Sequence, residues 1–231
     1  MQARFLPEIF DPLVVCSTLS ETKQFHTVLI TTRLSSRPPL ATKLFLSYAA
    51  HDDILSAHLL FDQTPHQTVR FWNSIIRVHA RRYDLSRIFS LFTQMRRLCT
   101  IPDGHTFACI LRTCSEISNL RCAKMVHGNL ISSGLGYDLT GSSAVIGAYY
   151  KLGLMDDARS LFDVLPEPDL VLWNSMTSGY GYKGLWQKGL ELFHRMQEAG
   201  ERLDGYSLVG QLSSLWDRSS LLFGRGIHGF A

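Results

Sequence analysis

The chain has 231 residues, 45% of them hydrophobic and 19% charged, with a net charge of +3. This is a globular balance with ample apolar material for a core, and its mild basicity permits an anionic partner without demanding one. No apolar run approaches the ~18 residues of a membrane-spanning helix, and five cysteines with no C-x-x-C spacing and no secretory signal read as reduced thiols rather than a disulfide framework.

Residues 1–12, MQARFLPEIFDP, hold an arginine but also Glu8 and Asp11, so they lack the long acid-poor amphipathic run of a transit peptide. Beyond them the chain repeats itself at an offset of 101 residues. Trp72-Asn73-Ser74 returns as Trp173-Asn174-Ser175, and Leu91-Phe92-x-x-Met95 as Leu192-Phe193-x-x-Met196. Leu60-Phe61-Asp62 returns as Leu161-Phe162-Asp163, Tyr48 as Tyr149, and Ala57 as Ala158. His26 maps to His127 and onward to His228. Self-similarity at a fixed period is the signature of a repeat architecture.

Smaller units lie inside the large period. After an N-terminal segment 1–37 with a degenerate first unit come 38–68, 69–103, 104–138, 139–169, 170–204 and an incomplete 205–231. The complete units have lengths 31, 35, 35, 31 and 35. Each reads as two amphipathic helices. In 170–204 these run from about Val171 to Tyr182 and from Trp186 to Glu198, with Leu172, Met176, Tyr180, Leu185, Leu192, Phe193 and Met196 at helical spacing. In 139–169, Ala144, Ile146 and Tyr149 mark the first helix, and Met155, Ala158, Leu161 and Phe162 the second. Gly153 and Gly184 fit the turns, where positive φ is needed. Small residues at Ala57, Ala123, Ala158 and Gly189 let a neighbouring helix approach. In 69–103 those two places hold Tyr83 and Ile88, which predicts a less regular hairpin. One such hairpin cannot bury its apolar face, so stacking is required. The expected fold is all-α, a right-handed α-solenoid of about six and a half hairpins with one groove lined by the residues not used in stacking.

With these units the chain resembles the pentatricopeptide repeat proteins of plants, in their PLS arrangement. The motifs that carry the resemblance are V-x-W-N-S at 171–175, A-R-S-L-F-D-V-L-P at 158–166, and R-T-C-S-x-x-x-N-L-R at 112–121 followed by V-H-G-x-L-I-x-S-G at 126–134. The resemblance spans about residues 9–231. It labels 38–68 and 139–169 as S-type, 69–103 and 170–204 as P-type, and 104–138 and the incomplete 205–231 as L-type. It implies binding of single-stranded organellar RNA, one base per unit, in the mitochondrion or alternatively the chloroplast. RNA editing, processing or stability would then be supported through proteins recruited in trans. A monomer with no cofactor, no membrane contact and no enzymatic activity is expected. The chain has no H-x-E and no C-x-x-C, which zinc deamination of a base requires, so a member without the C-terminal E or DYW extension, or a partial one, is implied. A protein-interaction scaffold of tetratricopeptide type is the alternative.

The resemblance also assigns residues. Within each first helix the second and fifth residues share a face, and the family reads a base with the fifth residue and the last residue of the unit. The pairs are Thr42 with Thr68, Asn73 with Asp103, Ala108 with Asp138, Ser143 with Asp169, and Asn174 with Asp204. By the family's pattern Asn with Asp selects uracil and Ser with Asp guanine, which gives N-U-N-G-U-N from the 5′ end. An amide can both donate and accept along a pyrimidine edge. The aspartates also stand just before predicted helices, where N-capping alone explains them. Stacking against the base falls to Arg70 and Val171, with His105 and Thr140 as weaker candidates. Phosphate contacts fall to Arg81, Arg82, Lys151 and Lys183. Cys114, Cys122 and His127 lie on different predicted helices without a fourth ligand, so no metal site is expected. His26, His127 and His228 are expected to pack or hydrogen-bond, and Trp72 and Trp173 to fill the core.

Overall fold

The structure, a computed structural model, describes residues 16–35, 37–165 and 168–200. Those residues contain eleven helices and no strand: α1 (Leu19–Thr31), α2 (Pro38–Ala50), α3 (Ile54–Gln63), α4 (Val69–Ala80), α5 (Leu85–Arg97), α6 (Gly104–Glu116), α7 (Leu120–Ser132), α8 (Leu139–Lys151), α9 (Met155–Asp163), α10 (Leu170–Tyr182) and α11 (Trp186–Glu198). The chain divides into two compact units. One runs through Val78 and includes Arg97–Thr100; the other comprises His79–Arg96 and the chain from Ile101 onward.

The hairpin turns are built alike. Asp52, Tyr83, Ser118, Gly153 and Gly184 each follow a first helix with φ between 56° and 85°. After each of them the next N–H donates back across the turn: Asp53 to the Tyr48 carbonyl, Asp84 to His79, Asn119 to Cys114, Leu154 to Tyr149, and Leu185 to Tyr180, at 2.8–3.1 Å. This is the Schellman closure, which satisfies helix-end carbonyls by turning the chain through a left-handed residue. Glycine enters that conformation freely, whereas an L-residue carries a cost of roughly 1–2 kcal/mol. Tyr83 nevertheless adopts it, and Ile88 is fully buried where the other hairpins hold a small residue. The turn at Tyr83 still closes like the others, because the returning hydrogen bonds outweigh the strain at one exposed residue.

In the second unit the first helices α6, α8 and α10 pack side by side. Each carries its own partner, α7, α9 or α11, and α7 and α9 also rest on the following first helix. In the first unit α2 joins α1 to α3 in the same manner. The apolar faces follow the helical period. In α11, Gly189, Leu192, Phe193 and Met196 are buried; in α10, Leu172, Trp173, Met176 and Tyr180 are. Three residues assigned to apolar faces from spacing lie further out. Leu185 is 39% exposed in the turn before α11, and Ala144 and Leu161 are half-buried beside the buried Val145 and Phe162.

The 101-residue repeat returns as closely similar ring geometry. Trp72 meets Phe61 edge-to-face at 4.7 Å between centroids, and Trp173 meets Phe162 at the same distance. His26 Nδ1 lies 3.0 Å from the Tyr48 hydroxyl, and His127 Nδ1 2.7 Å from that of Tyr149. Both histidines therefore hydrogen-bond within the helix stack, and His228 lies outside the described residues.

Replacing Trp173, only 4% exposed, by alanine removes an aromatic wedge and should cost about 3–5 kcal/mol in urea unfolding; a loss under about 1 kcal/mol contradicts the core role. Burial lowers the His127 pKa from 6.5, against a smaller upward pull from Asp157, and burial lowers that of His26 likewise. The unfolded chain therefore takes up these protons first. The stabilisation from the neutral imidazoles is present above pH 6.5 and is lost as pH falls below it. Denaturant midpoints should decline between neutral and mildly acidic pH, and His127→Gln should flatten that decline. An unchanged pH slope in the variant contradicts this account.

Candidate nucleic-acid interface

The second residue of each first helix is exposed. Pro39, Arg70, His105, Thr140 and Val171 all reach solvent, Val171 at 60%. The fifth residue, one turn deeper on the same face, is recessed. Thr42, Ala108, Ser143 and Asn174 are half-buried, and Asn73 is only 7% exposed. Asn73 is thus not a solvated polar residue. The hydroxyls of Thr42 and Ser143 donate to the Pro38 and Leu139 carbonyls at 2.7 Å, so their oxygen lone pairs are the groups left to accept.

The last residue of each repeat caps the following first helix. Asp103 accepts from the Thr106 N–H at 2.8 Å, Asp138 from Gly141 at 2.7 Å, Asp169 from Leu172 at 2.9 Å, and Thr68 from Phe71 at 3.3 Å. Thr106 returns its hydroxyl to the Asp103 N–H, completing a reciprocal capping box. Asp204 lies outside the described residues. These caps fix the carboxylates at helix N-termini, where the backbone amides and the helix dipole favour negative charge.

Gly104 shows where one such carboxylate stands. A side chain on this first residue of α6 would run into the Asp138 carboxylate and crowd Thr140 Cβ. The last residue of 104–138 therefore lies against the start of that repeat's own first helix. Ala108, its fifth residue, is one turn further along the same face, roughly 6 Å away. Asp138, Thr140 and the N-terminal turn of α6 converge on one spot. The glycine at 104, where the other first helices begin with Pro38, Val69, Leu139 or Leu170, was the available but unread sign of this close approach.

The basic candidates stand at the ends of first helices. Arg81 and Arg82 are exposed just after α4, and Lys183 just after α10. Lys151, the last residue of α8, is ion-paired with Glu116 at 2.8 Å, a partner that spacing did not reveal. Cys114 is buried, and burial, with a further contribution from Cys122, pushes its thiol up to about 12. Among the described residues no group of three or more His, Cys, Asp or Glu is arranged to hold a metal ion.

Comparison with known proteins follows this geometry. The family model described as PPR repeat matches residues 70–99, 142–167 and 171–201. A putative pentatricopeptide repeat-containing protein of Arabidopsis thaliana is 41% identical over 92% of this chain and 39% of its own length. A chloroplastic/mitochondrial pentatricopeptide repeat-containing protein of the same plant is 32% identical over 96% of this chain and 35% of its own. The chain thus spans well under half the length of these relatives. Among solved structures it resembles the pentatricopeptide repeat protein PPR10 from maize, with TM-score 0.70 at 17% identity over 90% of this chain and 30% of that one. PPR10 in complex with an 18-nt psaJ RNA element gives TM-score 0.69 over 90% and 32%. The fold is accordingly that of the helical-hairpin solenoids. The chain carries pentatricopeptide repeats, and its homologues are pentatricopeptide repeat proteins of plants.

Proposed function

We propose that the chain binds single-stranded RNA one base per repeat, with the exposed second residues flanking each base and the recessed fifth and last residues reading its edge. The observation that carries this reading is the recurrence of an exposed second residue above a recessed fifth one, together with the Asp138 carboxylate, which caps the next helix and lies against the start of its own repeat's first helix. Asn73 with Asp103 and Asn174 with Asp204 select uracil, Ser143 with Asp169 selects guanine, and Thr42 with Thr68 and Ala108 with Asp138 discriminate weakly. The target is N-U-N-G-U-N. Arg70 stacks through its guanidinium plane and Val171 through its apolar surface. Arg81, Arg82, Lys151 and Lys183 meet the phosphates.

The PLS arrangement is part of the proposal, and the first helices, which begin 31, 35, 35 and 31 residues apart from Pro38 to Leu170, support it. The working place is an organelle, the mitochondrion or alternatively the chloroplast; relatives named chloroplastic/mitochondrial and chloroplastic support this. The chain supplies recognition as a monomer, and editing or processing chemistry comes from proteins recruited in trans.

Fluorescence anisotropy with short RNAs tests the reading. Each single replacement of the two uracils or the guanine should weaken binding by about 1–3 kcal/mol, and replacements at the N positions by much less. Affinity should fall with salt at a slope near −0.7 per phosphate contacted. Equal affinity for every singly substituted RNA overturns the base assignment. Absence of any salt-dependent RNA binding overturns the function.

A further inference from the structure

The thirteenth residue of a repeat stands at the end of its first helix. Arg81 and Lys151 hold this place in 69–103 and 139–169, but in 104–138 it is Glu116, the last residue of α6. A carboxylate there faces the negative end of its own helix dipole, so the helix does not account for it. Its partner does. Glu116 Oε1 meets Lys151 Nζ at 2.8 Å, joining the ends of α6 and α8. The hydrogen bond and charge of Lys151, with a smaller contribution from Arg112, hold the Glu116 carboxyl below the usual range. Both side chains remain open to solvent, at 40% and 38% exposure, so an incoming anion can reach the pair.

We propose that Glu116 competes with RNA phosphate for Lys151, so that the backbone passing between repeats 104–138 and 139–169 must displace this carboxylate before it gains the cation. The inference rests on the RNA-binding reading above. Its consequence is an affinity set below what the chain's cations allow, by one identifiable residue. A phosphodiester oxygen and the Glu116 carboxylate offer the same chemistry to an ammonium group, so exchange replaces one charge-assisted hydrogen bond by another. Removing the carboxylate leaves that exchange with nothing to displace.

The test uses the full chain, a short RNA containing U-N-G-U, and six proteins: wild type, Glu116→Gln, Glu116→Ala, Lys151→Gln, the Glu116→Gln/Lys151→Gln double variant and a control, Asp62→Asn. Dissociation constants are measured across a salt series, and circular-dichroism melting checks that each protein is folded. Glu116→Gln should bind about 5-fold more tightly at ~0.1 M salt, with a salt slope steeper by about 0.7, the value of one added phosphate contact on a single strand. Lys151→Gln should bind more weakly than wild type, because it removes the cation and leaves the Glu116 carboxylate unpaired beside the phosphate, and the double variant should lose the gain seen in Glu116→Gln because it has no cation to release. Glu116→Ala should shift affinity in the same direction as Glu116→Gln, so that a folding defect in one variant does not decide the matter. Asp62→Asn, which removes an exposed charge in the first compact unit, should leave affinity unchanged. Wild-type binding that is unaltered by Glu116→Gln and Glu116→Ala overturns the competition. A double variant as tight as Glu116→Gln also overturns it, since the gain would then not pass through Lys151. Failure of the wild type to bind RNA at all sinks the RNA reading instead, and this inference with it.

Discussion

One backbone hydrogen bond, repeated at every described hairpin turn, sets the geometry on which the rest depends. The N–H three or four residues past the end of the first helix returns to the carbonyl of Tyr48, His79, Cys114, Tyr149 or Tyr180, each the eleventh residue of its repeat. That closure fixes where the first helix stops and the angle at which the second begins. It also fixes which side chains face inward. All five of those residues are buried, and the tyrosines at 48 and 149 receive a histidine ring edge-to-face from the preceding second helix. With the eleventh residue inside, helical periodicity leaves the second outside and the fifth at the margin. The face proposed to meet RNA is therefore a consequence of how the turns close.

Much of this was legible because a repeat states its rules several times over. The 101-residue offset pairs Trp72 with Trp173 and His26 with His127 in the sequence itself, and both pairs recur with matching ring geometry. The helix limits at Tyr182, Trp186 and Glu198 were likewise visible, since apolar spacing and a turn glycine agree there. Residue type alone is a poor guide at two positions. Tyr83 looked wrong for a turn that prefers glycine, yet a turn held by two backbone hydrogen bonds tolerates one strained, exposed side chain. Leu185 looked like core because it is apolar, yet it occupies the turn, where nothing packs over it fully.

The interface was less legible, for a different reason. Capping of the following helix by Asp103, Asp138 and Asp169 can be read from local sequence, since it involves residues three apart. The approach of Asp138 to Gly104 and the pairing of Glu116 with Lys151 join residues 34 and 35 apart. Such contacts become readable only once the repeat length is known and positions are compared between neighbouring repeats. Asn73 illustrates the same limit. Its recurrence as Asn174 was plain, but the two differ in burial, because burial depends on the neighbours each helix receives.

Charge is divided between the two helix layers of the second unit in a way that bears on both cohesion and recognition. Along the second helices, Lys124 pairs with Asp157, Lys188 with Asp156, Arg159 with Glu191, and Arg195 with Asp163, each bridging to the adjacent repeat. Burial would raise the Asp163 pKa, but hydrogen bonds from Arg195 and Arg159 hold it below its ordinary value. Exposed pairs of this kind contribute about 0–1 kcal/mol each, too little to hold the stack. Apolar burial between helices does that. What the pairs add is register, since a one-residue slip between neighbouring second helices would separate all four at once. They also neutralise one another within that layer. In an array whose stability is a sum over adjacent repeats, charges paired in this layer serve the fold, whereas the Lys151–Glu116 pair at the ends of α6 and α8 is the one proposed to be exchanged with a partner.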